Sequence, residues 1–301
     1  MQVKKLLIIS PSLKMGGIER ALTNLANYFV GQNLEVVFVS CLKSKPFYAL
    51  DSRIEVIEPD FERKGGMLNK ISFYPKLIKF IKASYQQTQP DAVLSFGDAF
   101  NPLVLLALKN EKAPIYISDR TSPDYKFKFP IPFLKRWLYP KSAGFIAQTT
   151  RAATYKEQQF GNRLAITVIP NAVKKMLPTP QKRENIILYV GRFASEKAPH
   201  YLIDAFAKIQ HHTDWQLMMA GSGPQLADMK TLTTTLGVAD RVSFLGDVKD
   251  VDSLYAKARI YVLPSVVEGF PNALCEAMAS GLPSICFDTI PHEDIFIATK
   301  M

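Results

Sequence analysis

The chain has 301 residues, 48% hydrophobic and 21% charged, enough apolar material for a packed interior; disordered, collagen-like and disulfide-miniprotein classes are excluded. The net charge of +10 is unevenly spread: residues 1–180 carry 26 Lys and Arg against 13 Asp and Glu, and residues 181–301 carry 11 against 14. The first part should therefore meet something anionic, whether a phosphorylated substrate, a membrane surface or nucleic acid.

The opening MQVKKLLIIS has a positive start but no cleavage-site pattern after its apolar run, and it reads as a buried first strand rather than an export signal. Short Val-, Ile- and Leu-rich runs then alternate with helix-period segments, the pattern of a parallel sheet with crossover helices. Strands are expected at 4–9, 35–41, 92–96, 114–118, 143–147 and 165–169, with helices at 18–30 and near 68–87. On the first helix Ile18, Leu22, Leu25, Ala26 and Phe29 share a face. The run PLVLLAL at 102–108 lies between Asn101 and Lys109 and is too short to span a bilayer.

Residues 1–171 thus read as one doubly wound α/β domain. The polar, proline-containing stretch at 172–184 reads as a linker, and residues 185–301 as a second α/β domain. There the strands are expected at 186–190, 216–220, 241–245, 260–263 and 283–286, and the helices at 199–210, 224–236, 250–258 and 271–279. Leu202, Phe206 and Ile209 form the expected buried stripe of the first of these helices. Two such domains would face one another across a cleft, the natural place for a ligand. Cys41, Cys275 and Cys286 form no disulfide framework and no C-x-x-C pair; they read as core thiols in a reducing compartment.

Three stretches carry chemistry. Gly16 and Gly17 open a helix just after the first strand, where free amides favour an anion, although a tight turn accounts for them equally well. Gly191, Arg192 and Lys197 in YVGRFASEKAP put two long cations at the carboxyl edge of the second sheet, suited to a diphosphate without a metal; the alternative is a pair of solvated surface charges. In EGFPNALCEAMASGLP a helix should begin at Pro271, with Glu268 before it and Glu276 inside it. Amides around 270–274 would attract phosphate, and two carboxylates eight residues apart would accept hydrogen bonds from sugar hydroxyls.

Other motifs point away from metal, nicotinamide and nucleic acid. Asp250-Val-Asp252 is formally an Asp-x-Asp metal pair, but it precedes a helical segment, where an aspartate acts as a cap or first-turn charge. His200, His211, His212 and His292 have no compact ligand spacing. GSGPQL at 221–226 lacks the third glycine of a dinucleotide fingerprint. No nucleic-acid-reading motif accompanies the positive charge. The segment 126–141 interleaves Lys126, Lys128, Lys135, Arg136 and Lys141 with Phe127, Phe129, Phe133, Trp137 and Tyr139, and Lys70, Lys76, Lys79 and Lys82 lie on a helix. Such mixtures suit an anionic membrane surface; an ordinary solvated basic face is the alternative.

The Gly-Gly loop, G-R-x(4)-K, A-G-x-G-P, F-L-G and the Glu-x(7)-Glu element with its flanks together resemble glycosyltransferase family 4, along nearly the whole chain. The resemblance implies the GT-B fold of two Rossmann-like domains and a retaining, metal-independent transferase that uses a nucleotide sugar, UDP being the expected nucleotide. No cofactor is implied. Arg192 and Lys197 would hold the donor diphosphate and Glu268 the sugar hydroxyls. Gly269, Phe270, Pro271, Asn272, Ala273 and Leu274 would line the sugar site, with the amides of Gly269 to Asn272 facing it, and Glu276 would bind the ribose. Gly17 would lie near the diphosphate, and Phe244, Leu245 and Gly246 near the base.

ISDRTSP, AQTTRAA and VIPNAV look similar to bacterial transferases that extend lipid-linked oligosaccharides, N-acetylgalactosamine transferases among them. Many relatives carry a histidine in the acceptor-side loop, where this chain has Asp119 and Arg120. The resemblance also implies further C-terminal helices after Asp288, so the second domain reads as incomplete, and a non-catalytic sugar-nucleotide or membrane module is the alternative function. A hexose or N-acetylhexosamine would pass to a glycan acceptor, lipid-linked, at the cytoplasmic face of the membrane.

Overall fold

In a computed structural model the structure describes residues 3–62, 67–173, 182–209 and 214–288. Linker residues 174–181, His211, His212, His292 and the end at 289–301 lie outside the described residues. The chain divides into two compact units, Met1–Pro170 and Asn171–Met301.

The first unit is built on β1 (Lys5–Ser10), β2 (Glu35–Ser40), β3 (Glu55–Ile57), β4 (Ala92–Phe96), β5 (Ile115–Ser118), β6 (Gly144–Ala147) and β7 (Ile166–Val168). They form one parallel sheet in the order β3-β2-β1-β4-β5-β6-β7. Continuous apolar strands are what a sheet covered on both faces requires. Leu6 and Ile8 of β1 pack with Leu22, Ala26 and Val30 of α1 (Gly17–Gly31), while Leu7 and Ile9 face the opposite cluster. That second cluster takes Leu77, Ile81 and Tyr85 from α2 (Met67–Thr88) and Val104, Leu105 and Leu108 from and just beyond α3 (Asn101–Ala107).

Every strand expected in this unit is present, β3 adds an edge, and three helices join those expected: α3, α4 (Ile131–Leu138) and α5 (Thr150–Phe160). The physical reasons differ. Helix α3 is nearly continuous apolar sequence and shows no amphipathic period. Prolines crowd the start of α4. Helix α5 is mostly polar and is announced by its Thr149 cap, whose hydroxyl accepts from the Ala152 amide at 3.1 Å.

The second unit has a parallel sheet of β8 (Ile186–Val190), β9 (Gln216–Ala220), β10 (Val242–Gly246), β11 (Ile260–Leu263) and β12 (Ser284–Cys286), in the order β10-β9-β8-β11-β12. Its helices are α6 (His200–Ile209), α7 (Leu226–Thr235), α8 (Val251–Lys257) and α9 (Asn272–Ala279). The buried stripe of α6 is Leu202, Ile203 and Phe206; Ile209, expected inside, is exposed at the helix end. Both sheets are doubly wound, with order reversing between β1 and β4 and between β8 and β11, where ligands of such folds gather.

Candidate functional site

In the second unit, the loops after β8 and β11 flank the switch point. Gly191 follows β8 and donates its amide to the Ala220 carbonyl at 3.0 Å. Next to it Arg192 has a side chain 64% exposed, its guanidinium paired with Glu196. Burial works to raise the Glu196 carboxyl, but the Arg192 hydrogen bond and the cations beside it outweigh this and hold it below its ordinary value. A one-turn 3-10 segment, Ser195–Lys197, then brings Lys197 Nζ to 2.6 Å from Glu268 Oε1. The Glu268 side chain is only 5% exposed. The Val266 amide donates to the Glu196 carbonyl at 3.0 Å, so the two loops are joined through backbone as well as side chains.

Gly221 explains how the loops approach so closely. Its φ is +135°, and a β-carbon there would lie 2.0 Å from the Gly191 carbonyl oxygen. Its amide donates to the Gly246 carbonyl at 2.7 Å, joining the ends of β8, β9 and β10. The GSGP sequence is thus a backbone junction under the loop that carries Arg192. The base-side candidates follow from it: Phe244 is partly buried against Phe193, Leu245 is exposed, and Gly246 closes β10.

Helix α9 begins where expected, capped by Pro271. Its lining is corrected in three respects. Pro271 has no amide to offer, and the Asn272 amide donates to the Phe270 carbonyl at 3.0 Å. The side chains of Phe270 and Leu274 are buried in the core. The first helical bond runs from the Cys275 amide to the Pro271 carbonyl, so the amides of Ala273 and Leu274 are those that precede the ladder, with Gly269 in the loop before them. Glu276 is buried inside the helix, where Tyr255 donates its hydroxyl to Oε2 at 3.2 Å.

In the first unit Gly16 caps α1 in extended conformation and Gly17 is its first residue. Glu19, in the first turn, accepts from the Ser12 hydroxyl at 2.7 Å, and its carboxylate lies against Gly16. A negative group already stands near this helix start.

Asp119 lies in a buried network. Its oxygens accept from Tyr139 at 2.5 Å, Lys156 at 2.7 Å, Lys135 at 3.0 Å and Asn101 at 3.3 Å. Burial alone would raise its carboxyl, yet the two lysines and their hydrogen bonds carry it far below the ordinary range. Asp98 completes the cluster: Lys135 donates to it at 2.7 Å, and the amides of Arg120 and Thr121 donate at 3.0 and 3.2 Å. Burial and the Asp119 charge raise the Asp98 carboxyl despite Lys135. The Arg120 guanidinium stacks on the Phe96 ring at 3.6 Å; burial lowers it to about 9 against the pull of both aspartates.

Sequence reasoning does not reach Asp98, Lys156 or Glu196, and it places Lys135 and Tyr139 in the basic and aromatic stretch read as facing an anionic membrane surface. Both are buried. One signal was available for Asp98: an aspartate within two residues of a strand end, in FGDAF. Asp250 caps α8, accepting from the Ser253 amide at 3.2 Å, and Asp252 is a first-turn charge. Among the described residues, no three His, Cys, Asp or Glu side chains gather as a metal would need, and no helix is long and apolar enough to cross a membrane.

The Glycosyltransferase Family 4 model matches residues 15–175, and the model of glycosyl transferases group 1 matches residues 175–300. The chain belongs to glycosyltransferase family 4. As a family 4 chain it is a transferase enzyme of GT-B fold. It is 28% identical over 284 residues to an uncharacterized glycosyltransferase of Haemophilus influenzae, covering 92% of this chain and 78% of that protein. It is 27% identical over 278 residues to a Campylobacter jejuni α-1,4-N-acetyl-D-galactosaminyltransferase whose name gives an undecaprenol diphosphate-linked saccharide as its substrate, covering 91% and 76%. Among solved structures, Anabaena HepE in complex with UDP superposes with a TM-score of 0.73 at 18% identity, covering 96% of this chain and 82% of that one.

Proposed function

We propose that this family 4 enzyme is a retaining, metal-independent transferase that moves a hexose or N-acetylhexosamine from a UDP-sugar to a lipid-linked glycan acceptor. Its place would be the cytoplasmic face of the membrane, in bacterial surface polysaccharide assembly. The observation that carries the reading is the ion pair of Lys197 with Glu268 at the switch point of the second sheet, with Arg192 on the same loop as Lys197 and Glu268 in the loop that leads into α9. As the bond from the anomeric carbon to the diphosphate oxygen breaks, its electron pair passes to UDP, and the two cations and the leading amides of α9 stabilise that charge. The acceptor hydroxyl bonds to the anomeric carbon on the same face and gives its proton to the departing phosphate. Glu268 would hold sugar hydroxyls, with Lys197 offsetting the cost of its burial. The names of the Campylobacter and Anabaena relatives support a lipid-linked acceptor and UDP.

Radiolabelled UDP-hexoses and UDP-N-acetylhexosamines, screened against lipid-linked saccharides with and without EDTA, test the reading. Transfer with retained anomeric configuration that survives EDTA is the expected result; loss in EDTA, or an inverted product, overturns it.

A further inference from the structure

Helix α4 turns a lysine inward beside its core leucines and aromatic rings outward. Its inner face carries Lys135, buried with Leu138 and ion-paired to Asp98 and Asp119. The outer side carries Phe133 and Trp137, four residues apart, 63% and 51% exposed, and Phe129, just before the helix, is 85% exposed. A single exposed aromatic is ordinary, but three following one another at four-residue spacing form a patch that water does not favour.

The stretch that carries these aromatics has one sign of charge. Lys126, Lys128, Arg136 and Lys141 are all exposed along it, and the chain has no acidic residue between Asp124 and Glu157. Lys141 Nζ lies 4.2 Å from the Trp137 ring centroid, so a cation sits level with the indole. Aromatic bodies at the centre and cations at the rim match a layer that is apolar below and anionic at its surface. Neither an acidic protein nor a nucleic acid offers that depth order.

We propose that Phe129, Phe133 and Trp137 form a wedge that enters the headgroup layer of an anionic bilayer, with Lys126, Lys128, Arg136 and Lys141 bound to lipid phosphates around it. The inference rests on the membrane part of the function proposed above and names the surface that would meet the lipid. Because the inner face of the same helix holds the loop of Asp119 and Arg120, docking would fix that loop at the height of a lipid-linked headgroup.

The test is flotation of the full chain with vesicles of phosphatidylcholine, either pure or doped with phosphatidylglycerol. The chain should float only with the doped vesicles, and the variant Phe129→Ser/Phe133→Ser/Trp137→Ser should lose at least about tenfold in partitioning. Each of Lys126→Gln, Lys128→Gln, Arg136→Gln and Lys141→Gln should cost about fivefold. The chain has two tryptophans, so Trp215→Phe leaves Trp137 as the sole tryptophan with the wedge intact; its emission should shift to the blue and be quenched by brominated acyl chains. Unquenched Trp137, equal flotation of the triple variant, or no flotation overturns the proposal. So does a triple variant that turns a dimer into a monomer, which would show a second copy on the patch. Transfer between soluble substrates in detergent, with no vesicle present, reports separately on the proposed function.

Discussion

Lys197 and Arg192 would serve the same diphosphate but sit in different surroundings, and this separates what their removal should do. Arg192 is mostly exposed and leans on Glu196, so Arg192→Ala should lower turnover by about a hundredfold or more and leave the melting temperature unchanged. Lys197 neutralises a carboxylate that is almost wholly buried. Lys197→Ala should therefore lower turnover and also cost about 1–3 kcal/mol of stability, measured by urea unfolding alongside a donor assay. At Asp119 the expected loss is larger. Asp119→Asn removes the negative centre from two buried lysines and should cost about 3–5 kcal/mol.

Its pH dependence follows from opposite shifts in one cluster. Asp119 is depressed in the folded chain, so its contribution is complete above about pH 4 and drains away as pH falls below that value. Asp98 is raised, takes its proton first in the folded chain and gains stability on acidification toward that pH. Stability of the unmodified chain should therefore rise modestly as pH falls toward about 4 and fall steeply below it. Denaturant midpoints across this range should show the steep limb reduced in Asp119→Asn.

At the scale of elements, the ends of three strands meet at Gly221. Gly221→Ala puts a β-carbon within 2.0 Å of a backbone oxygen and forces a side chain into positive φ, so the β8 and β9 loops must part. Nucleotide affinity, read by titration calorimetry with UDP, should fall by at least about tenfold, with a stability cost of about 1–3 kcal/mol. The cap of α8 provides a control. Asp250→Ala should cost about 1 kcal/mol through the lost Ser253 bond and leave transfer unaltered with or without added manganese, because Asp250 serves the helix start. Metal-dependent loss of activity in this variant would restore the Asp-x-Asp reading.

Over the whole molecule, the two units carry separate cores and separate charged clusters. Perturbations at sites that share no partner add. Asp119→Asn should lower stability without changing UDP affinity, Gly221→Ala should lower UDP affinity, and the double variant should show the sum of both effects within about 0.5 kcal/mol. Calorimetry and denaturant curves on the four chains check this. The positive balance also belongs to the whole first part of the chain: Lys76, Lys79 and Lys82 are exposed on α2, away in sequence from the α4 patch.

The alternation of strands and helices, the two α/β units, the start of α9 and the cap role of Asp250 can all be read from the chain itself, because each depends on local period, propensity or a neighbour a few residues away. The pairing of Lys197 with Glu268, seventy-one residues apart, was legible only as two motifs at one sheet edge. Tertiary structure alone decided that Lys135 is buried and Phe129 exposed. Both lie in one basic and aromatic stretch, and the choice between them is made by Asp98 and Asp119, which reach Lys135 from the ends of other strands. A charge goes inside when a distant partner outweighs its desolvation, and no local pattern records that partner.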